Sequence, residues 1–214
     1  MERSLYRIIT RTVLAHAFGG MFLFVFCCTF FATGLSFGQQ TTDTSMANIY
    51  PVFGNPNGDV TIFEFYDYQC GYCKASEEGL ERLLREDKNL KIIYMDFPKL
   101  GPLSDTAAIA TLASLRQGAD KYLKLHNMLM NKNVRLTGED MLYQTAASVG
   151  LDVGQIKKDM TDPAIAQQVR DNIAAGKSAG VRVTPSFVIG GQFFPGYATY
   201  DELKQRVGDA RAAK

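Results

Sequence analysis

The sequence predicts an α/β domain in the order strand, helix, strand, then a run of helices, then two strands and a closing helix. Three observations carry this reading. Residues 60–66, VTIFEFY, are β-branched and aromatic and run straight into a Cys-Gly-Tyr-Cys sequence at positions 70–73. Positions 104–179 hold four stretches of helix formers, and beyond Gly180 the pattern returns to strands around a Gly-Gly turn.

Taken in order, the turn-forming Asn55-Pro56-Asn57-Gly58-Asp59 precedes the first strand, Val60 to Tyr66, whose β-branched and aromatic character marks it as buried. Lys74 to Arg85 are good helix formers with Leu80, Leu83 and Leu84 at helical spacing, so the cysteine pair sits at a helix N-terminus. Lys91 to Phe97 reads as the second strand, and Pro98 with Gly101-Pro102 then breaks the chain. Ser104 to Arg116, Lys121 to Met130, Glu139 to Val149 and Pro163 to Ala179 read as helices, a helical insertion over approximately 102–179. Val181 to Ile189, the turn Gly190-Gly191 and Gln192 to Phe194 form a hairpin, and Tyr200 to Val207 closes as a helix.

The N-terminus has a different composition. Arg3, Arg7 and Arg11 lead into an almost uninterrupted apolar run from Val13 to Phe37, so residues 1–38 read as a signal peptide or an N-terminal membrane anchor. The run is long enough to span a bilayer core of roughly 30 Å, while Ser36-Phe37-Gly38 offers a cleavage site, and both alternatives stay open. Either way the arginines stay cytoplasmic, so the domain is expected outside the cytoplasm, in the periplasm, free or tethered to the inner membrane. Residues 39–48 are a polar linker, and the folded domain is expected over 49–214. Without its first 38 residues the chain carries 20 basic and 21 acidic side chains, a balance that recruits no nucleic acid. At 214 residues and 46% hydrophobic content it is the size of one domain.

Of the four cysteines, Cys27 and Cys28 belong to the apolar segment, which leaves Cys70 and Cys73 alone in an exported domain. Two cysteines three apart staple nothing distant, and a disulfide closing so small a loop stabilises little. Zinc needs about four ligands, and His126, the only histidine outside the apolar segment, reads as an ordinary helix residue without a role, so no metal or other cofactor is expected. Redox chemistry remains. A thiol attacks a disulfide as its thiolate, and unpaired amides with the positive dipole end at a helix N-terminus stabilise that anion at Cys70. Cys73, one turn further in, faces the protein, which makes Cys70 the nucleophile and Cys73 the resolving thiol of a reversible disulfide.

Three stretches together carry a resemblance: EFYDYQCGYCK from Glu64 to Lys74, DFPKLGPLS from Asp96 to Ser104, and GVRVTPSFVIGGQFFPGY from Gly180 to Tyr197. With them the chain, from Tyr50 to Val207, resembles the DsbA-type branch of the thioredoxin superfamily. The resemblance implies a thioredoxin-like fold with an inserted helical subdomain and a thiol-disulfide oxidoreductase acting on cysteine-containing client proteins. It implies a cis peptide bond before Pro185, with Thr184 presenting backbone to the client, and places Gly71 and Tyr72 against the client too. Glu64 matches a position where the family often keeps a buried acid that relays the Cys73 proton, although a solvent-facing strand position would be equally ordinary for a glutamate. Gly71 and Tyr72 supply no positive charge beside the thiolate, so milder oxidising strength is expected than in members with a Pro-His pair. The Gly-Tyr-Cys and Asp-Phe-Pro stretches look closer to the suppressor-of-copper-sensitivity members, some of which are isomerases that oligomerise through an N-terminal stalk. Residues 39–48 are too few for such a stalk, which favours a monomeric dithiol oxidase over an isomerase or reductase, with a metal-binding module as the third reading. The partner implied is a membrane redox protein, quinone-linked for an oxidase and electron-delivering for a reductase.

Overall fold

All seven residues of the strand Val60–Tyr66 are buried, because it runs through the middle of a sheet covered on both faces. A computed structural model describes residues 50–214, and the expectations for residues 1–38 and 39–48, including Cys27 and Cys28, lie outside the described residues. Along the chain the elements are β1 (Val52–Gly54), β2 (Val60–Tyr66), α1 (Gly71–Glu86), β3 (Leu90–Asp96), α2 (Pro102–Ser114) and a 3-10 turn (Leu115–Gln117). They continue as α3 (Ala119–Met130), α4 (Glu139–Ser148), α5 (Val153–Asp159), α6 (Pro163–Ala179), β4 (Ser186–Ile189), β5 (Gln192–Pro195) and α7 (Tyr200–Ala212). The sheet order is β1-β3-β2-β4-β5, with β2 and β3 parallel and every other pairing antiparallel. This is a thioredoxin-like α/β fold in which helices α2 to α6 lie between β3 and β4.

Alternation along β2 divides the core into two faces. Phe63 and Phe65 join Ile93, Met95 and Val188 under α6, where Ile173, Ala175 and Ala179 pack on them. Gly176 lets α6 come this close, since a Cβ there would lie 2.7 Å from the Phe97 ring. On the other face Ile62, Tyr66, Ile92, Tyr94 and Phe187 meet Leu80 and Leu83 of α1, Leu203 and Val207 of α7, and Tyr122, Leu125 and Leu129 of α3. The inserted helices thus reach the face of the sheet that carries α1.

Four element readings need correction. The edge strand β1 was not anticipated: it is three residues long, too short for alternation to show, and exists through antiparallel pairing with β3. The expected strand Val181 to Ile189 begins only at Ser186, because the Thr184-Pro185 bond is cis and the chain bends before it. Helix α5 adds a fifth helix to the four expected in the insertion; Asp152 caps it, accepting from the Gln155 amide at 3.0 Å. The closing helix runs on to Ala212, started by a Thr199 and Glu202 capping box. Among the described residues no helix is long and apolar enough to cross a membrane.

Candidate active site

The loop from β2 to α1 is held before it reaches the cysteines. Asp67, buried at the end of β2, accepts hydrogen bonds from the amides of Gln69 at 2.8 Å, Lys99 at 2.8 Å and Leu100 at 3.0 Å, and from the Ser104 hydroxyl at 2.8 Å. One carboxylate therefore ties the approach to Cys70 to the DFPKLGP loop and the start of α2. Cys70 follows as the N-cap of α1 with extended backbone angles, so the unpaired amides of the first turn surround its sulfur.

Cys70 is 7% exposed and Cys73 is fully buried, and both are free thiols in this structure. The Cys70 thiol donates to the Thr184 carbonyl at 3.3 Å, on the loop that carries the cis Thr184-Pro185 bond. The structure therefore brings Cys70, Cys73, Thr184 and Pro185 together. Glu64 lies beneath them on β2, close enough for its charge to act on both sulfurs. Gly71 and Tyr72 sit on the outside: a Cβ at Gly71 would meet nothing within 4 Å, and Tyr72 is 70% exposed, its ring 6.4 Å from that of Tyr197.

The two thiols have opposite electrostatics. The hydrogen bond from Cys73 is the largest influence on Cys70 and, with the Thr184 side chain and the amides of Cys73 and Tyr72, outweighs burial to bring its pKa down to about 6. Burial pushes Cys73 far up, and its hydrogen bond to Cys70 and the nearby Glu64 charge push the same way. Cys70, at the head of the helix, thus ionises below neutral pH, while the deeper Cys73 keeps its proton. Glu64 is completely buried rather than solvent-facing, and neither of its oxygens meets a hydrogen-bonding group among the described residues. Burial, then the charges of Glu77 and Cys70, hold its carboxyl well above the usual carboxylate range. Lys74 is also buried, its ammonium donating to the Val134 carbonyl at 2.5 Å, and burial lowers its pKa.

Asp67, Glu77 and His126 were not anticipated as site residues. Asp67 lies in a loop where an aspartate is ordinary, and only the folded structure shows which amides it gathers. Glu77 was within reach, since it follows Cys73 by four residues and therefore shares its helix face. His126 is fully buried, with Nδ1 3.0 Å from the Tyr68 hydroxyl, packing from an inserted helix that no local signal places beside α1.

A thioredoxin-like sheet with an activated thiol at the head of its first helix, and a buried partner one turn in, defines a thiol-disulfide oxidoreductase. The chain belongs to the family of the DSBA-like thioredoxin domain, whose model matches residues 61–208. Among solved structures it is similar to a thioredoxin-like oxidoreductase from Silicibacter pomeroyi, 37% identical with a TM-score of 0.72, covering 78% of this chain and 94% of that one. It is similar also to the catalytic domain of Proteus mirabilis ScsC, 26% identical with a TM-score of 0.69, covering 77% and 90%. Among curated proteins it matches disulfide bond formation protein D of Bacillus subtilis, 23% identical over 73% of this chain and 75% of that protein. It also matches proteins named as Na(+)/H(+) antiporters NhaA, such as that of Salinispora tropica at 26% identity, of whose length the chain spans only 25%.

Proposed function

We propose that this chain is an extracytoplasmic dithiol oxidase that donates its Cys70–Cys73 disulfide to client proteins. The observation that carries the proposal is the contrast between the two thiols: Cys70 is brought down to about 6 while Cys73 is pushed up. A stabilised Cys70 thiolate belongs to the reduced protein, so it makes the oxidised protein readier to give its disulfide away. A client thiolate attacks Cys70 Sγ, the Cys70–Cys73 bond breaks, and Cys73 leaves with the electron pair and takes a proton. The client's second thiol then attacks the client sulfur of the mixed disulfide, and Cys70 leaves as a thiolate. The disulfide moves to the client, and a membrane redox partner restores the chain.

Client docking follows from the surface around the reactive sulfur. Tyr72, Leu100, Val183 and Tyr197 are large apolar side chains 46–70% exposed, on the α1 start, the DFPKLGP loop, the loop before Pro185 and the loop after β5. With the Thr184 backbone beside Cys70, an extended client segment has backbone to pair with and apolar side chains to rest on. In this reading Glu64 supplies the Cys73 proton, Gly71 leaves room for the client, and the protein acts as a monomer. The Arg-led apolar segment supports export, and the family resemblance supports the membrane partner.

The test is the reduction potential measured together with the rates in both directions. The proposal expects a potential between about −180 and −120 mV and faster oxidation of a reduced model protein than reshuffling of a scrambled one. Cys70→Ser should abolish oxidation. A potential at or below about −270 mV with efficient reshuffling would instead make the chain a reductase or isomerase.

A further inference from the structure

The two loops that flank Cys70 are fastened to each other by a lysine. Lys99, on the DFPKLGP loop, donates its amide to Asp67 Oδ2 at 2.8 Å, and its ammonium reaches across to the Arg182 carbonyl at 2.5 Å. Arg182 stands two residues before Thr184, whose carbonyl accepts from the Cys70 thiol at 3.3 Å. Consecutive Cα atoms are about 3.8 Å apart, so the Arg182 backbone lies within about 8 Å of the Thr184 backbone, with the Lys99 ammonium hydrogen-bonded to it. Both side chains are exposed, and neither has an acidic partner among the described residues.

On the other segments that border the site the charges offset one another. Lys132 pairs with Glu78 at 3.0 Å, Lys74 is buried with its ammonium on the Val134 carbonyl, and the exposed Arg135 and Asp105 are single charges of opposite sign. Tyr72 and Tyr197, with ring centroids 6.4 Å apart, add an uncharged aromatic part. Two positive charges therefore stand uncompensated where Lys99 and Arg182 meet. Beyond residue 38 the chain has 20 basic and 21 acidic side chains, so this surplus is local and does not reflect net charge. Nor does the thiolate depend on it, since the Cys73 and Thr184 side chains and the amides of Cys73 and Tyr72 are the main influences that favour ionised Cys70.

We infer that Lys99 and Arg182 are specificity-determining residues, selecting client segments whose reactive cysteine is flanked by aspartate or glutamate. The inference rests on the disulfide-donor reading above and leaves its sulfur chemistry unchanged. A client carboxylate beside this rim is attracted as its cysteine approaches Cys70, and a lysine or arginine in the same place is repelled, so the discrimination comes from both. At low salt two unit charges about 7 Å apart in water change an encounter by about twofold. Two cations then separate acidic from neutral flanks by about fourfold, and acidic from basic flanks by about tenfold or more. At about 0.5 M salt the Debye length falls to about 4 Å, and most of the preference disappears.

The test is the rate at which the oxidised full chain is reduced by three two-cysteine peptides, whose cysteines are flanked by glutamates, glutamines or lysines, followed by stopped flow at low and high salt. Each rate is divided by that of the same peptide with hydroxyethyl disulfide, a small neutral disulfide, which removes the effect of the flanks on thiolate formation. The wild-type chain should prefer the glutamate over the lysine peptide by about tenfold at low salt and by less than about twofold at high salt. Arg182→Glu should bring the ratio close to one, and Lys99→Glu combined with Arg182→Glu should invert it. Lys88→Glu makes the same change in net charge at the far end of the sheet, beside the Leu90 and Val60 pair where β3 and β2 begin, and should keep the wild-type ratio. Loosening of the loops by loss of Lys99 would slow all three peptides alike and leave the ratio unmoved, which would overturn the role assigned to its charge. Should the double variant fail to fold, Arg182→Glu alone decides. A wild-type ratio below about twofold at low salt, or an equal loss of preference in Lys88→Glu and Arg182→Glu, would overturn the inference while the donor reading stands. If none of the peptides reduces the wild-type chain, the donor reading itself falls.

Discussion

Replacing Cys73 with alanine should return Cys70 toward an ordinary thiol. With its pKa brought down to about 6, Cys70 is thiolate in about 90% of reduced molecules at pH 7. Relative to a normal cysteine that preference is worth at most about 1.4 kcal/mol, and solvent screening at the mouth of the helix trims it toward about 1 kcal/mol. Across two electrons this corresponds to roughly 20–30 mV of oxidising strength. The hydrogen bond from the Cys73 side chain is the largest cause, so Cys73→Ala removes the main support, while burial continues to oppose ionisation and the Thr184 side chain and first-turn amides remain. Cys73→Ser keeps a hydroxyl donor and should fall between the two. Stability follows with a definite sign: because the folded value lies below the ordinary 9.0, the contribution is fully present above that pH and is lost as pH falls through about 6. Between pH 7 and pH 5, reduced wild-type protein should therefore lose up to about 1 kcal/mol more than the alanine variant. The assay is the ultraviolet absorbance of the thiolate against pH, checked by alkylation rates and by denaturant melts of the reduced forms. An alanine variant whose Cys70 still titrates at about 6 would refute the reasoning and assign the activation to the helix terminus alone.

Four further substitutions have expected outcomes. Asp67→Ala strands three amides and the Ser104 hydroxyl, and should cost about 3 kcal/mol in urea unfolding; a loss below about 1 kcal/mol would mean the loop re-forms without it. Glu64→Leu removes a buried carboxyl held above its ordinary 4.5, whose contribution is present below that pH and lost as pH rises. The variant should therefore melt higher than wild type, by more at pH 8 than at pH 5, with a gain of about 1–3 kcal/mol; an equal gain at both pH values would contradict the sign. Gly176→Ala should destabilise by about 1–3 kcal/mol in spite of alanine's helix preference, because its Cβ would lie 2.7 Å from the Phe97 ring. Gly208→Ala, whose Cβ would meet nothing within 4 Å, should gain about 0.5–1 kcal/mol, and thermal melts of the two separate the effects.

Sequence reasoning reached the parts of this protein whose signals are local. The apolar run of β2, the leucines of α1 and the two cysteines at the head of that helix all lie within a few residues of what they determine. Elements that depend on partners far along the chain were missed. Val52 to Gly54 form a strand because β3 lies beside them, and Gly54, with a φ of 84° and a carbonyl 2.4 Å from where its Cβ would sit, shows how close the pairing is. Val181 to Pro185 look β-branched enough for a strand, yet a cis bond redirects the backbone toward Cys70. Spacing sets Cys73 one turn after Cys70, and the two side chains are hydrogen-bonded. Glu64 could not be assigned to the core or the solvent, because its surroundings come from α1 and from Tyr94 on the neighbouring strand. His126 carried no sign of its place: three other segments supply the tyrosines and the carboxylate around it.

The account depends most on Cys70 being the sulfur that meets the client. Incubating the reduced Cys73→Ser chain with a disulfide-bonded client protein and mapping the adduct by peptide mass spectrometry tests this directly. A stable mixed disulfide to Cys70, absent from the Cys70→Ser chain, is the predicted result. No adduct, or a client attached at Cys73 in the Cys70→Ser chain as readily as at Cys70, would contradict it.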